Sequence, residues 1–332
     1  KFRISHHNRF MLLYPKKLLV GDEVRVIAPA KSFKPSFDTK RKALAIERLE
    51  AIGLKVSFGK YVDEVNEFES TTVEHRIEDL HNAFADKNVK AILTVLGGST
   101  SNQLLKYIDY DLVKNNPKIL CGRSDITALT SAIYQKTGLV TYSGPHFTLF
   151  GVSNAFEYTI GYFKKCLFSD EPFEVESAKT FCDQLWDTEE VKTEGYWIIN
   201  QGRARGKILG GNLLTFKYLQ GSDFAPDMNN SVLFLEDNDK ENFRGFENQL
   251  QSLINQPNFG GVKGIVIGRF QKGSGMTRDL LTKIVTTKKE LGDIPIVANI
   301  DFGHTTPMIT FPIGGETEMV LDKEVMLKIA KH

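Results

Sequence analysis

From Val24 onward, short apolar runs alternate with stretches in which apolar residues recur every three or four positions. Val24–Ala28 (VRVIA) is dense enough in apolar and β-branched residues to be a buried strand. Across Asp38–Ile52, the residues Ala43, Leu44, Ile46, Leu49 and Ile52 fall at helical spacing, and Gly53 ends the pattern. The same alternation predicts strand Leu54–Phe58, helix Val73–Asp86 and strand Lys90–Val95, the last running into Gly97-Gly98. Strand Ile119–Cys121 then runs into Gly122, followed by helix Asp125–Thr137 and strand Leu139–Tyr142. A βαβα rhythm with strands apolar on both faces implies a parallel sheet covered by helices on each side.

The pattern loosens between about Phe150 and Gly202. This region holds a polar, acidic and aromatic stretch, Phe181–Asn200 (FCDQLWDTEEVKTEGYWIIN), with both tryptophans of the chain. The rhythm then resumes. Gly206–Leu209 leads through Gly210-Gly211-Asn212 into a helix, and strand Val232–Leu235 ends at Glu236. Helix Phe243–Ile254, strand Gly264–Ile267, helix Arg278–Lys289 and strand Ile296–Ala298 follow, and Glu318–Leu327 alternates like a hairpin around Asp322-Lys323. The expected organisation is an N-terminal domain over 11–170, a linker and aromatic loop over 171–200, and a smaller C-terminal α/β domain over 201–332. Met11 reads as a natural start, so residues 1–10 are set aside as an extension.

A length of 332 residues agrees with two domains. The 42 basic and 41 acidic side chains leave a net charge of +1, which gives no reason to expect a nucleic-acid or membrane-surface partner. No apolar run approaches the ~20 residues of a membrane span, and no signal peptide is visible. Three scattered cysteines, Cys121, Cys166 and Cys182, form neither a disulfide framework nor a zinc motif, which fits a reduced cytoplasmic setting. No clustered His/Cys ligands suggest a metal, and no cofactor is expected.

Four segments could carry chemistry, each at the end of a predicted strand. In Ile119–Ile126 (ILCGRSDI) an apolar strand runs into Gly-x-Ser and then a helix. Such a turn lifts the Ser124 hydroxyl out of the sheet edge and points helix N–H groups at what it attacks. The second glycine of the hydrolase elbow is replaced by Ile126, so Ser124 or Asp125 could equally be a helix cap. Gly97-Gly98 could supply a further N–H to an oxyanion, or be a plain tight turn; the spacing is not that of a P-loop. Glu236 and Asp237 end the strand SVLFL, where a base-orienting carboxylate or simply a polar loop would sit. His304 lies in a Gly/Thr/Pro loop. Setting aside terminal His6, His7 and His332 and the helical His75 and His81, only His146 and His304 sit in loops after strands. Ser, Glu and His in that chain order match the α/β-hydrolase triad.

Taken together, the segments GDEVRVIAPA, LGGS, GRSDITALT, GKILGGNL, LFLED and DFGHTTPMITFPIG resemble the LD-carboxypeptidases of peptidase family S66, from about Met11 to the C-terminus. The resemblance implies a Rossmann-like or flavodoxin-like N-terminal domain, a smaller C-terminal α/β domain, and a homodimer with the site between domains. It implies the triad Ser124, Glu236 and His304, with the N–H groups of Gly98 and Asp125 as oxyanion donors. The long aromatic loop is similar to that of the microcin C self-immunity (MccF-like) subgroup, in which a loop tryptophan stacks on a nucleobase. Trp186 is the position carried over, with Trp197 as the alternative. Asn212, in GKILGGNL, is a further substrate-binding candidate. Arg123, Arg203 and Arg205 are candidates for gripping a substrate carboxylate. The expected reaction is amide hydrolysis through an acyl-enzyme, on a small-molecule or peptide substrate. Two substrate classes stand open, the linkage of an aminoacyl- or peptidyl-nucleotide and the L,D-bond of a murein tetrapeptide. A non-catalytic nucleotide-binding module is the remaining alternative, and it leaves the Ser/Glu/His coincidence unexplained.

Overall fold

The computed structural model describes residues 11–33, 37–152, 156–184 and 189–332. Its first sheet is built from β1 (Glu23–Ile27), β2 (Lys55–Phe58), β3 (Val89–Thr94), β4 (Ile119–Gly122) and β5 (Thr141–Ser143), ordered β2-β1-β3-β4-β5 and all parallel. This is the flavodoxin-like order, in which ligands gather beyond the carboxyl ends of the strands. The connecting helices are α1 (Thr39–Ala51), α2 (Val73–Ala85), α3 (Tyr110–Asn115) and α4 (Thr127–Thr137). Side-chain caps start three of them: Asp38 accepts the amide of Arg41, Thr72 that of His75 and Asp109 that of Leu112.

The stretch that reads as loose in sequence contains a two-faced helix, α5 (Phe156–Leu167), which buries Ile160, Phe163, Cys166 and Leu167. Aromatic residues on both faces blur its period. Short strands follow: β6 (Phe173–Glu174), β7 (Thr180–Phe181), β8 (Val191–Lys192) and β9 (Trp197–Asn200). The pair β7–β8 is the stem of the aromatic loop, and β9 pairs with a strand of the second sheet.

That second sheet has the order β6-β16-β15-β10-β11-β12-β13-β9. Its middle is parallel: β10 (Gly202–Asn212), β11 (Ser231–Glu236), β12 (Gly264–Arg269) and β13 (Ile296–Gly303). Helices α6 (Leu213–Lys217), α7 (Phe243–Ile254) and α8 (Arg278–Thr286) connect them. The predicted hairpin is present and longer than expected, as antiparallel β15 (Glu316–Leu321) and β16 (Val325–Lys331). Just before it, β14 (Phe311–Ile313) leaves the second sheet and pairs antiparallel with β5 of the first. The chain therefore closes the seam between the sheets with a returning strand, which no periodicity over three residues could announce. Phe234 and Phe302 of the second sheet pack on Phe311 at that seam. Among the described residues the three cysteines are buried, and no helix is long and apolar enough to cross a membrane.

Candidate functional site

At the end of β4 the chain turns through Arg123 and Ser124 into a 3-10 turn, Ser124–Ile126, before α4 begins. The helix thus starts two residues later than its apolar pattern suggests, because the turn must first tighten. Ser124 holds φ +58°, a left-handed conformation that L residues adopt at a cost of about 1 kcal/mol or more. The strain is that of an elbow which pushes one side chain out of the sheet edge. Gly122 is needed beside it, since a Cβ there would stand 2.4 Å from Thr94 Oγ1. The Asp125 side chain, 2% exposed, staples the neighbouring turn to the elbow. It accepts the amide N–H groups of Thr100 and Ser101, both at 2.9 Å, while Ser101 Oγ donates to the Asp125 carbonyl. Burial raises the Asp125 carboxyl above its ordinary range, against the pull of those donors.

The second sheet supplies the rest. Glu236 is the last residue of β11 and His304 follows β13 directly. His304 Nδ1 lies 2.7 Å from Glu236 Oε2, and His304 Nε2 lies 3.1 Å from Ser124 Oγ. A carboxylate can only accept, so Nδ1 carries the hydrogen and Nε2 offers its lone pair to the serine hydroxyl. Two glycines make room for the carboxylate: a Cβ on Gly268 would stand 3.0 Å from Glu236 Cβ, and one on Gly303 would stand 3.2 Å from Oε2. Burial works to raise the Glu236 carboxyl. His304 first, then Arg123 and Asn212, outweigh it and hold the group below its usual range, so it stays ionised. Next to it, Asp237 is pushed up to about 8 by burial and by the Glu236 charge.

The structure therefore brings Ser124, Glu236 and His304 together: Ser124 and His304 line a cleft of about 270 Å³ with Gly98 and Arg123, and Glu236 is buried behind the imidazole. Arg123 is 8% exposed, and its Nη1 donates to the Gly303 carbonyl at 2.8 Å, linking the elbow to the histidine loop. Asn212 is buried beneath the cleft. Its Oδ1 caps α6 by accepting from the Thr215 amide and hydroxyl, and its own amide donates to Thr127 Oγ1. Arg203 and Arg205 do not reach the cleft. They stand exposed at the opposite end of β10 from Asn212, and Arg205 pairs with Glu316 and Glu318.

Of the two tryptophans, Trp186 lies outside the described residues. Trp197 sits on β9 opposite Ala298 and lines a separate pocket with Phe181 and Arg269, so it does not face Ser124. The root of the aromatic loop does reach the cleft. Gln184 lines it, donating to Asp239 Oδ2 at 2.9 Å and accepting from Gln271 Nε2 at 2.9 Å. On the far side of the loop, Ala178 N and Tyr196 Oη both donate to the buried Asp301, three residues before His304. Sequence reasoning missed Lys31, Gln184, Lys240 and Gln271 as cleft-lining residues. The available signal was position, since Lys31 follows β1 and the polar run 237–240 follows β11, at the same edges as the serine and glutamate.

Comparison with known proteins shows the family and the fold. The model of the LD-carboxypeptidase N-terminal domain matches residues 24–144, and that of the LD-carboxypeptidase C-terminal domain matches residues 205–319. The chain is 47% identical over 308 residues to the Bacillus subtilis protein YocD, which bears a carboxypeptidase name, covering 91% of this chain and 94% of that one. Among solved structures it is similar to an MccF-like protein from Bacillus anthracis, at 46% identity and a TM-score of 0.94, covering 96% and 100% of the two chains. It is also similar to MccF in complex with glutamyl sulfamoyl guanosine, at 27% identity and a TM-score of 0.85, covering 96% and 98%.

Proposed function

This chain belongs to the LD-carboxypeptidase family of serine peptidases, and from that premise we propose that Ser124 is its nucleophile, His304 its general base and Glu236 the carboxylate that orients the base. The observation that carries the proposal is the continuous relay in one cleft, 3.1 Å from serine to imidazole and 2.7 Å from imidazole to carboxylate. A serine hydroxyl is a weak nucleophile at neutral pH and needs such a base. As Ser124 attacks the carbonyl, His304 takes its proton at Nε2, and the ionised Glu236 stabilises the imidazolium. The N–H groups of Gly98 and Asp125 hold the tetrahedral oxyanion, where loss of one donor costs ~3 kcal/mol. His304 then protonates the leaving amine, and water reverses the sequence to release the acyl group.

The substrate class we propose is an aminoacyl- or peptidyl-nucleotide, cut at its amide-type linkage, by a homodimer of this chain. Two facts support it: MccF, similar over 96% of the chain, binds a glutamyl sulfamoyl nucleoside, and the polar loop that contains Trp186 is rooted at the cleft through Gln184. Relatives that bear murein peptide and murein tetrapeptide carboxypeptidase names favour a second reading, release of D-Ala from a murein tetrapeptide. Mass spectrometry after incubation with both substrates decides between them. Trp186→Ala sharpens the result, because base–aromatic stacking is worth ~1–3 kcal/mol, or roughly five- to 150-fold. The variant should lose that factor on the nucleotide, mainly in KM, and keep murein cleavage. Equal losses on both substrates would make the loop a lid and favour murein.

A further inference from the structure

A second histidine lines the cleft, and the relay does not use it. His146 follows β5 in the turn Gly144-Pro145-His146 and is 1% exposed. Its Nδ1 lies 2.8 Å from Thr94 Oγ1, at the end of β3. Its Nε2 is buried and has no hydrogen-bond partner. A buried polar group without a partner is disfavoured, so such a group in a catalytic cleft points to a missing ligand. The position of Gly97 shows how near that nitrogen lies to the serine. A Cβ built on Gly97 would stand 3.2 Å from Ser124 Oγ and 3.4 Å from His146 Nε2. The two atoms therefore flank the same glycine, and any side chain at this position would crowd both the serine oxygen and the second imidazole.

The tautomer follows from Thr94. Its hydroxyl is fully buried and has two acceptors in range, the Cys121 carbonyl at 3.5 Å and His146 Nδ1 at 2.8 Å. We take the hydroxyl to donate to the nearer one, which places the imidazole hydrogen on Nε2. Burial first, then the Arg123 and His304 charges, hold His146 well below the ordinary histidine range. It is therefore a neutral donor and not a second base. The same wall is rich in donors: Arg123 lines it with a buried, unpartnered Nε, and Lys31 and Lys240 line it too. Asp239, an acid on this wall, already accepts from Gln184.

We propose that His146 is a substrate-contacting residue whose Nε2–H donates to a carboxylate oxygen of the substrate bound beside Ser124. This rests on Ser124 being the nucleophile, as proposed above. Loss of a hydrogen bond to a charged acceptor corresponds to roughly ten- to 150-fold in binding.

The test uses two serine-directed phosphonates of one skeleton, one bearing a free carboxylate and the other its methyl ester. Inactivation rates are read on the full chain. His146→Phe keeps the ring shape without the donor, and His146→Gln places an amide N–H near the same point. Thr94→Val leaves the imidazole but removes the group that sets its tautomer. The expected result is that H146F slows the acid probe by roughly ten- to 150-fold and the ester by less than about two-fold. H146Q should recover most of the loss, and T94V should lower the preference for the acid. Equal slowing of both probes, or H146Q as poor as H146F, overturns the proposal. Should H146F fail to fold by circular dichroism, an unchanged acid preference in T94V overturns it instead. Wild type that neither probe labels, or labelling that persists in Ser124→Ala, sinks the nucleophile assignment and the inference with it. Labelling at Ser124 with no preference for the acid sinks His146 alone.

Discussion

The first sheet presents its share of the cleft as adjacent strand ends: Lys31 beyond β1, Gly97 and Gly98 beyond β3, Ser124 beyond β4 and His146 beyond β5. The second sheet delivers Glu236 from β11 and His304 from β13, with β12 between them and two glycines leaving space for the carboxylate. In the first sheet the decisive feature is local backbone, the left-handed φ of Ser124 and the clearance over Gly97. In the second it is the approach of two distant side chains. The halves share one hydrophobic core, and the polar links across it include Arg123 on the Gly303 carbonyl and the Asn212 backbone N–H on Thr127 Oγ1, with β14 pairing on β5. The difference teaches that the elbow can be correct while the relay is absent, because the proton path exists only across the seam.

The comparison can be broken from either side. Ser124→Ala removes the first sheet's reacting atom and should lower kcat by about 10⁶-fold, with the melting temperature nearly unchanged. Hydrolysis of the preferred substrate measures it, and a loss under ten-fold would end the account. Glu236→Gln acts from the second sheet and should lower kcat by roughly 10⁴-fold through the wrong imidazole tautomer. Its linkage has a definite sign. The folded Glu236 carboxyl is held below its ordinary 4.5, so its stabilisation is present above that value and is lost as pH falls through the lower folded value. Denaturant melts should therefore show wild type losing stability in that acidic window more steeply than E236Q.

Arg123→Met attacks the seam itself. Removing the cation takes the Gly303 carbonyl's donor and one charge that keeps Glu236 ionised. We expect a loss of about 2 kcal/mol in stability and a kcat decrease of roughly 30-fold, since charge-assisted hydrogen bonds are worth ~1.5–3 kcal/mol. A stability loss with kcat unchanged would show that the histidine loop holds its place without the elbow. The smallest effect belongs to Asp237. Its folded value of about 8 stands above its ordinary 3.8, so the native state holds the extra proton and stability falls as pH rises through that range. Asp237→Asn should raise the melting temperature by a few degrees, about 1–2 kcal/mol, at pH 9 and change little at pH 4. A pH-independent difference would mean that Asp237 is ionised throughout.

Much of the fold was legible because the central strands of both parallel regions are buried on both faces and read as continuous apolar runs, such as Ile119–Cys121 and Val232–Leu235. The helices that escaped were α3, too short at six residues for a helical period, and α5, whose aromatic residues obscure its polar face. In the site, Ser124, Glu236 and His304 were each marked by an apolar run that stops at a polar residue. Arg203 and Arg205 looked equally eligible by proximity to GKILGG. However, a strand rises ~3.3 Å per residue, so Arg205 stands some 20 Å or more from Asn212 along β10. Proximity in sequence is misleading along an extended strand.

Local chemistry thus determined the strand ends, the glycine turns and the residue types poised on them, because periodicity and backbone freedom act over a few residues. Tertiary structure alone decided that residues 180 and 68 positions apart, Ser124–His304 and Glu236–His304, share one relay. It also decided that Trp197 turns to a different pocket, that Arg123 grips the histidine loop, and that Asp125 staples the elbow to the glycine turn through its side chain. These contacts depend on how two sheets dock and which strand returns to close the seam. No pattern within a single element carries that information.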